Sequence, residues 1–123
     1  MIVVVDDIPS NANVLARLLM RRGYTSKPIF CGHDLLEYLA SEPTPRLVIL
    51  DMTMPTMDGL ECLRRLRLNP QWQNIPVIMY SAVTDSEVLQ QAKKLGAQEW
   101  VVKTADGWDD LFSKIQQHAG RAN

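Results

Sequence analysis

Three short apolar runs along the chain each end at charged residues. These runs and the residues that follow them are Ile2–Val5 with Asp6 and Asp7, Leu47–Leu50 with Asp51, and residues 100–102 with Lys103. Short, continuous runs rich in β-branched residues are typical of strands buried in a parallel sheet. Because ligands bind outside the carboxyl ends of such strands, we expect the charged residues to meet at one edge of the sheet.

Between the strand-like runs, apolar residues recur at the three- and four-residue spacing of amphipathic helices. The five apolar stripes are Val14, Leu15, Leu18 and Leu19; Leu35, Leu36 and Leu39; Leu60, Leu63 and Leu66; Val88, Leu89, Ala92 and Leu95; and Trp108, Leu111, Phe112 and Ile115. Thr84 and Glu87 fit a capping box at the start of the fourth helix. Gly23 and Gly96 suit left-handed ends of the first and fourth helices.

The alternation of strand and helix predicts one domain over residues 1–123 with a doubly wound α/β fold, in which a five-stranded parallel sheet carries helices on both faces. The second strand, within residues 24–30, is polar and contains Pro28, which suits an edge. The wholly apolar first and third strands suit the centre. Strand order 2-1-3-4-5 satisfies both conditions and places a ligand crevice between strands 1 and 3.

Composition narrows the class of protein. The 13 basic and 14 acidic residues leave a net charge of −1, so nothing in the charge indicates a direct nucleic-acid or membrane partner. Arg64, Arg65 and Arg67 are expected to form the solvated face of a helix. Cys31 and Cys62 form no close-spaced pair, which favours a reduced, cytoplasmic protein. No apolar run approaches the roughly 20 residues of a membrane helix.

The charged residues at the strand ends suit phosphoryl chemistry. A carboxylate such as Asp51 can attack phosphorus and form an acyl phosphate. Asp6 and Asp7 offer the oxygen ligands that Mg²⁺ prefers, and three adjacent carboxylates repel one another unless a cation lies among them. Lys103 can bind a phosphoryl oxygen, and so can the hydroxyl of Ser81 after the fourth strand. Each residue alone also fits a cap, a turn or an ion pair, but their joint position favours phosphoryl transfer.

These motifs resemble those of receiver domains of two-component response regulators, the CheY-like superfamily, over essentially the whole chain. The matching segments are VVDD at 4–7, ILDMTMPTMDG at 49–59, SA at 81–82 and VK at 102–103. Their order and spacing make the match far more specific than any single motif. The resemblance implies the flavodoxin-like (βα)5 fold already indicated by the apolar pattern.

The resemblance also implies a role for each site residue. Asp51 would be the phosphoacceptor, and Asp6, Asp7, Asp51 and the backbone carbonyl of Thr53 would hold Mg²⁺. Ser81 and Lys103 would contact the phosphoryl group. The donor would be a phosphohistidine on a sensor histidine kinase or a histidine phosphotransfer domain, and acetyl phosphate serves many members. Such a domain catalyses its own aspartyl phosphorylation and dephosphorylation and is not an enzyme with an external substrate.

In this family a hydroxyl in the Ser81 position and an aromatic ring in the Trp100 position form a switch. Their movement remodels the face made by the fourth helix, fifth strand and fifth helix, which binds a downstream protein or output domain and can support a homodimer on activation. Tyrosine or phenylalanine is usual where this chain has Trp100. Because indole is larger, we expect the ring to stay outward in both states as part of the partner surface.

A second departure follows Lys103, where Thr104 replaces the proline that usually forms a cis bond. A cis bond before a residue other than proline costs roughly 3–4 kcal/mol, so we expect a trans bond between Lys103 and Thr104.

Two other classes of protein share part of this pattern of residues. A phosphatase of the haloacid dehalogenase type also uses an aspartate nucleophile and Mg²⁺, but it carries a second aspartate two residues later, where this chain has Thr53. A pseudo-receiver that acts as an interaction scaffold without phosphorylation is the stronger alternative. The complete set of three aspartates, Ser81 and Lys103 argues against it. A stand-alone receiver and a receiver within a longer protein both fit the sequence.

Overall fold

The computed structural model describes residues 1–104 and 108–122, in which strands and helices alternate. The elements are β1 (Ile2–Val5), α1 (Pro9–Arg21), β2 (Ser26–Ile29), α2 (Gly32–Ser41), β3 (Leu47–Leu50), α3 (Gly59–Leu68), β4 (Val77–Ser81), α4 (Ser86–Lys94), β5 (Glu99–Val102) and α5 (Trp108–Ala119). Within the described residues, no helix is long and apolar enough to cross a membrane.

All five strands form one parallel sheet in the order β2-β1-β3-β4-β5, which confirms the predicted topology. In β1, Ile2 pairs with Ser26 of β2 on one side and with Leu47 of β3 on the other. Every residue of β1 and β3 is buried, whereas the edge strand β2 buries only Ile29. The continuous apolar runs therefore lie in the middle of the sheet, where helices cover both faces.

Alternate residues of each central strand belong to different core layers, as the two-residue period of a strand requires. Val5, Leu50 and Met79 lie in the layer that contains residues of α2, α3 and α4. Val4, Ile49 and Tyr80 lie in the layer that contains residues of α1 and α5. This division places Tyr80, which directly precedes Ser81, beneath the first and last helices.

Helix α1 differs from its predicted apolar stripe at Val14, which is 47% exposed. The buried positions are instead Ala12, Leu15, Ala16 and Leu19. The two buried alanines have little bulk, so the helix lies against the sheet along the side that carries them. The spacing of the large apolar residues does not reveal this side of α1, because it takes no account of the small alanines.

The predicted capping box of the fourth helix is wrong. The N-cap of α4 is Asp85, and its Oδ1 accepts hydrogen bonds from the backbone N–H groups of Glu87 at 2.8 Å and Val88 at 3.4 Å. Asp85 directly follows Thr84, and its carboxylate accepts from backbone N–H groups of the first helical turn. Its negative charge is also favourable at a helix N-terminus. Ala92 is the buried residue of α4, while Val88 and its apolar neighbours are half-buried.

The sequence predicts that the three arginines of α3 form one solvated face, but the structure separates them. Arg64 and Arg65 are exposed and pair with Glu61. Arg67 is half-buried and donates to the backbone carbonyls of Ile75, Leu95 and Gly96. Its guanidinium thereby satisfies carbonyl groups just beyond α4, where the helix itself supplies no donors. Arg67 therefore fixes the end of α4 against α3.

The two cysteines have separate structural positions and both are free. Cys31 is the N-cap of α2, where its Sγ accepts a hydrogen bond from the N–H of Asp34. Cys62 is completely buried in α3. Burial raises the pKa of the Cys62 thiol to about 12, so this side chain behaves as a small apolar core residue.

Candidate functional site

The carboxyl ends of four adjacent strands, β1, β3, β4 and β5, bring the predicted site residues together. Asp51 follows β3 and its backbone N–H donates to the carbonyl of Val5, the last residue of β1. The backbone N–H of Lys103 donates in the same way to the carbonyl of Ser81. The side chains of Asp6, Asp51 and Lys103 meet at the edge where the sequence predicts a ligand site, although β4 separates the strands of Asp51 and Lys103.

Lys103 bridges two of the aspartates. Its Nζ lies 2.7 Å from Oδ2 of Asp6 and 3.3 Å from Oδ2 of Asp51. The other oxygen of Asp6 accepts a hydrogen bond from the backbone N–H of Ile8 at 3.0 Å. Both oxygens of Asp6 therefore already have donors. Among the described side chains, Lys103 donates to Asp51 within hydrogen-bond distance, at Oδ2. Of these two carboxylates, Asp51 is the one with more capacity left to accept a further hydrogen bond.

Burial and charge act in opposite directions on Asp51. Burial raises the pKa of Asp51 above its ordinary value, and the charge of Asp6 adds to this effect, while Lys103 and the hydroxyl of Ser81 partly oppose it. For Lys103, burial alone would lower the pKa, but the hydrogen bond to Asp6 and the charge of Asp51 raise it overall. The ammonium is thus kept charged, and a further cation would favour the ionised form of Asp51.

Three carboxylates at this edge suit a divalent cation. One oxygen from each of Asp6, Asp7 and Asp51 lies within 4.8 Å of the others. Carboxylates this close repel one another, and Lys103 supplies only one positive charge against three negative ones. Mg²⁺ prefers oxygen ligands, is usually bound by only a few carboxylates and keeps several waters, so these three carboxylates fit it. Thr53 lies on the exposed connection after Asp51, and the role of its carbonyl stays a prediction.

The connection between β3 and α3 approaches Asp51 closely at Gly59. Its N–H donates to the carbonyl of Met52 at 2.8 Å. A β-carbon added at this position would collide with the carbonyl oxygen of Asp51, so only glycine fits. Asp58 caps α3 by accepting from the N–H of Glu61 at 2.9 Å. The Asp-Gly pair of the sequence motif thus anchors the start of α3 beside the end of β3.

Ser81 and Trp100 both contact the same residue in the β4–α4 connection. The Oγ of Ser81, which is only 1% exposed, accepts a hydrogen bond from the N–H of Val83 at 3.2 Å. The indole Nε1 of Trp100 donates to the carbonyl of Val83, also at 3.2 Å. The ring is half-buried and packs against the core layer of α2, α3 and α4. The expectation that the ring stays outward in both states remains a prediction.

The surroundings of Lys103 include one feature that the sequence predicted and one that it did not. The peptide bond between Lys103 and Thr104 is trans, as predicted, and no peptide bond in the described part of the chain is cis. Beneath Lys103, the ring of Tyr80 has its centroid 5.5 Å from Nζ. Nothing in the pattern singles out Tyr80, because it occupies an ordinary core position of a buried strand.

A parallel 2-1-3-4-5 sheet with three aspartates, a serine and a lysine at its carboxyl edge defines a receiver domain of the response-regulator class. The chain matches the family model described as "Response regulator receiver domain" over residues 2–116, and it belongs to this family. Receiver domains of this family act in two-component signalling and are signalling domains rather than turnover enzymes.

Similar proteins come from several bacteria. The transcriptional regulatory protein KdpE of Mycobacterium tuberculosis is 35% identical over 116 residues, which are 94% of this chain and 49% of that protein. The solved structure of chemotaxis protein CheY4 of Vibrio cholerae is 26% identical with a TM-score of 0.86, covering 95% of this chain and 96% of that one. A receiver protein of Pseudomonas putida gives 25% identity and a TM-score of 0.88, covering 94% of each chain. The chain thus spans about half the length of the curated relative.

Proposed function

We propose that Asp51 accepts a phosphoryl group from a phosphohistidine in a reaction that requires Mg²⁺. The donor is a sensor histidine kinase or a histidine phosphotransfer domain. The phosphorylated domain then changes a binding surface for a downstream partner. The observation that carries this proposal is the bridge from Lys103 Nζ to both Asp6 and Asp51, with three carboxylates clustered at one strand edge.

The proposed transfer is a displacement at phosphorus. A carboxylate oxygen of Asp51 forms an O–P bond as the N–P bond of the phosphohistidine breaks, and the imidazole nitrogen keeps the electron pair. Lys103 and the Ser81 hydroxyl bind the oxygens of the transferred group in this proposal. Asp6, Asp7, Asp51 and the Thr53 carbonyl would hold Mg²⁺, which would supply positive charge to stabilise these oxygens. The main task of the protein is therefore positioning and neutralising charge.

The hydrogen bonds of Val83 support a specific path from the site to the partner surface. When the Ser81 hydroxyl turns toward a phosphoryl oxygen, its hydrogen bond with the Val83 N–H weakens. Because the Val83 carbonyl is held by the Trp100 indole, any movement of this residue is passed to β5. We propose that Ser81 and Trp100 form the switch in this way, with phosphate favouring one of two existing conformations.

The partner surface in this proposal is the face of α4, β5 and α5. Glu99 on β5 pairs with both Lys114 and His118 on α5, so a shift of β5 also affects α5. A downstream protein or output domain would bind this face, and a second receiver could bind it on activation. The KdpE relative is named a transcriptional regulator, but any output of this chain is a separate proposal. A cytoplasmic location completes the proposal.

Intact-protein mass spectrometry tests the phosphorylation. The wild-type protein and Asp51→Asn are incubated with acetyl phosphate or phosphoramidate, with Mg²⁺ or with a chelator. We expect one phosphoryl adduct on the wild type that needs Mg²⁺ and is absent from the variant. An Asp58→Asn variant, which changes an acid at the end of the same connection, should still be phosphorylated. An equal adduct on Asp51→Asn would refute the assignment, and no adduct with either donor would favour an unphosphorylated scaffold.

A further inference from the structure

A cavity of about 180 Å³ lies beside Asp51, between the sheet and helices α1 and α5. Apolar side chains of Val4, Leu15 and Ile49 line it, together with the rings of Tyr80 and Trp108. Val4 and Ile49 precede the aspartates along their strands, so the apolar part lies deeper in the fold than the charged part. The cavity therefore combines an apolar interior with the charged residues of the phosphorylation site.

The size of the cavity suits a single aromatic ring. An apolar protein cavity of about 150 Å³ is large enough to bind benzene. The rings of Tyr80 and Trp108 lie 6.0 Å apart between centroids at an angle of 48°, so they contact each other, and both line the cavity. Val14 also lines the cavity and is 47% exposed, so the cavity reaches the protein surface beside α1.

The charged end of the cavity favours a cationic ligand. Asp6, Asp51 and Lys103 line it and carry a net formal charge of −1. Lys103 donates to both carboxylates, and its single positive charge offsets only one of their two negative charges. Asp51 still has accepting capacity, and an ammonium group can donate to it. Aromatic walls add to the attraction for a cation.

We propose that this cavity binds a small primary amine that carries one aromatic ring. The ring occupies the apolar interior and the ammonium pairs with the carboxylate of Asp51. This amine and Mg²⁺ compete for the same negative charge, so each weakens the binding of the other. The binding does not require phosphorylation of Asp51, and it is tested on the unphosphorylated protein, so its failure leaves the proposed phosphorylation intact.

Benzylamine is the probe, and benzyl alcohol and benzoate are its neutral and anionic analogues. Binding is measured from amide and indole chemical shifts in the NMR spectrum of the full chain, in a chelator and in saturating Mg²⁺. The Val14→Trp variant fills the cavity from an exposed position on α1. The matched control is Met20→Trp on the same helix, because Met20 is 52% exposed and is not among the residues that line the cavity.

We expect benzylamine to shift the resonances of Trp108 and Tyr80 and to bind about tenfold more tightly than benzyl alcohol, because its charged group pairs with a carboxylate. Benzoate should bind more weakly still. Saturating Mg²⁺ should weaken the amine about fivefold or more. Val14→Trp should abolish the shifts and Met20→Trp should keep them. Equal affinities of the three probes, indifference to Mg²⁺, or unchanged binding to Val14→Trp would each overturn the proposal.

Discussion

Replacing Lys103 with methionine removes the cation from two nearly buried carboxylates. In the wild type, Nζ of Lys103 lies 2.7 Å from Oδ2 of Asp6 and 3.3 Å from Oδ2 of Asp51. The side chains of these two aspartates are only 6% and 10% exposed. Removing one partner of a buried ion pair costs about 3–5 kcal/mol, because the other charge loses its counterion. Lys103 itself is 24% exposed, so water screens part of the pair. We therefore expect a loss near the lower limit, about 3 kcal/mol.

Urea unfolding at neutral pH measures this loss as a lower midpoint with an unchanged slope. Mg²⁺ should restore more stability to Lys103→Met than it adds to the wild type, because the variant binds the ion more tightly at its unneutralised carboxylates. The control is Lys114→Met, which removes a half-exposed pair to Glu99 with an N–O distance of 3.5 Å and should cost less than about 1 kcal/mol. Equal losses in the two variants, or no added benefit from Mg²⁺, would refute the reasoning.

Three further predictions concern the switch, the core and a helix end. Trp100→Phe removes the indole donor to the Val83 carbonyl and should lower the local stability of the loop after β4 by about 1 kcal/mol. Amide exchange in this loop should therefore be faster in Trp100→Phe but not in the control Trp72→Phe. With its pKa raised to about 12, the neutral thiol of Cys62 should resist thiol reagents at pH 8 until the protein is unfolded in urea, and rapid native labelling would contradict its burial. Asp85→Ala should lower the free energy of unfolding by about 1 kcal/mol and Thr84→Ala should not, whereas the reverse order would contradict the cap.

The fold could be predicted because its strands and helices differ in kind along the sequence. The apolar runs Ile2–Val5 and Leu47–Leu50 need cover on both faces, which places them centrally, and the polar segment with Pro28 belongs at an edge. These constraints leave few strand orders, and the observed order is the predicted one. The stripe of α1 was placed partly wrong at Val14 because buried alanines, not the spacing of large residues, decide which side faces the sheet.

The grouping of the site residues could also be predicted, since strand ends of a parallel sheet meet at one edge. Their individual contacts could not. The hydrogen bond of the Trp100 indole depends on where the β4–α4 connection passes, and the contacts of Arg67 depend on where α4 ends. Both are set by tertiary packing between segments far apart in sequence, for which residue spacing carries no signal.

Chemical trapping of the acyl phosphate identifies the side chain that carries the phosphoryl group. The protein is phosphorylated with phosphoramidate and Mg²⁺, reduced with borohydride, which converts an aspartyl phosphate to homoserine, and digested for peptide mass spectrometry. We expect homoserine at position 51 alone, and none when a chelator replaces Mg²⁺. Homoserine at Asp6, Asp7 or Asp58 with position 51 unchanged would contradict it.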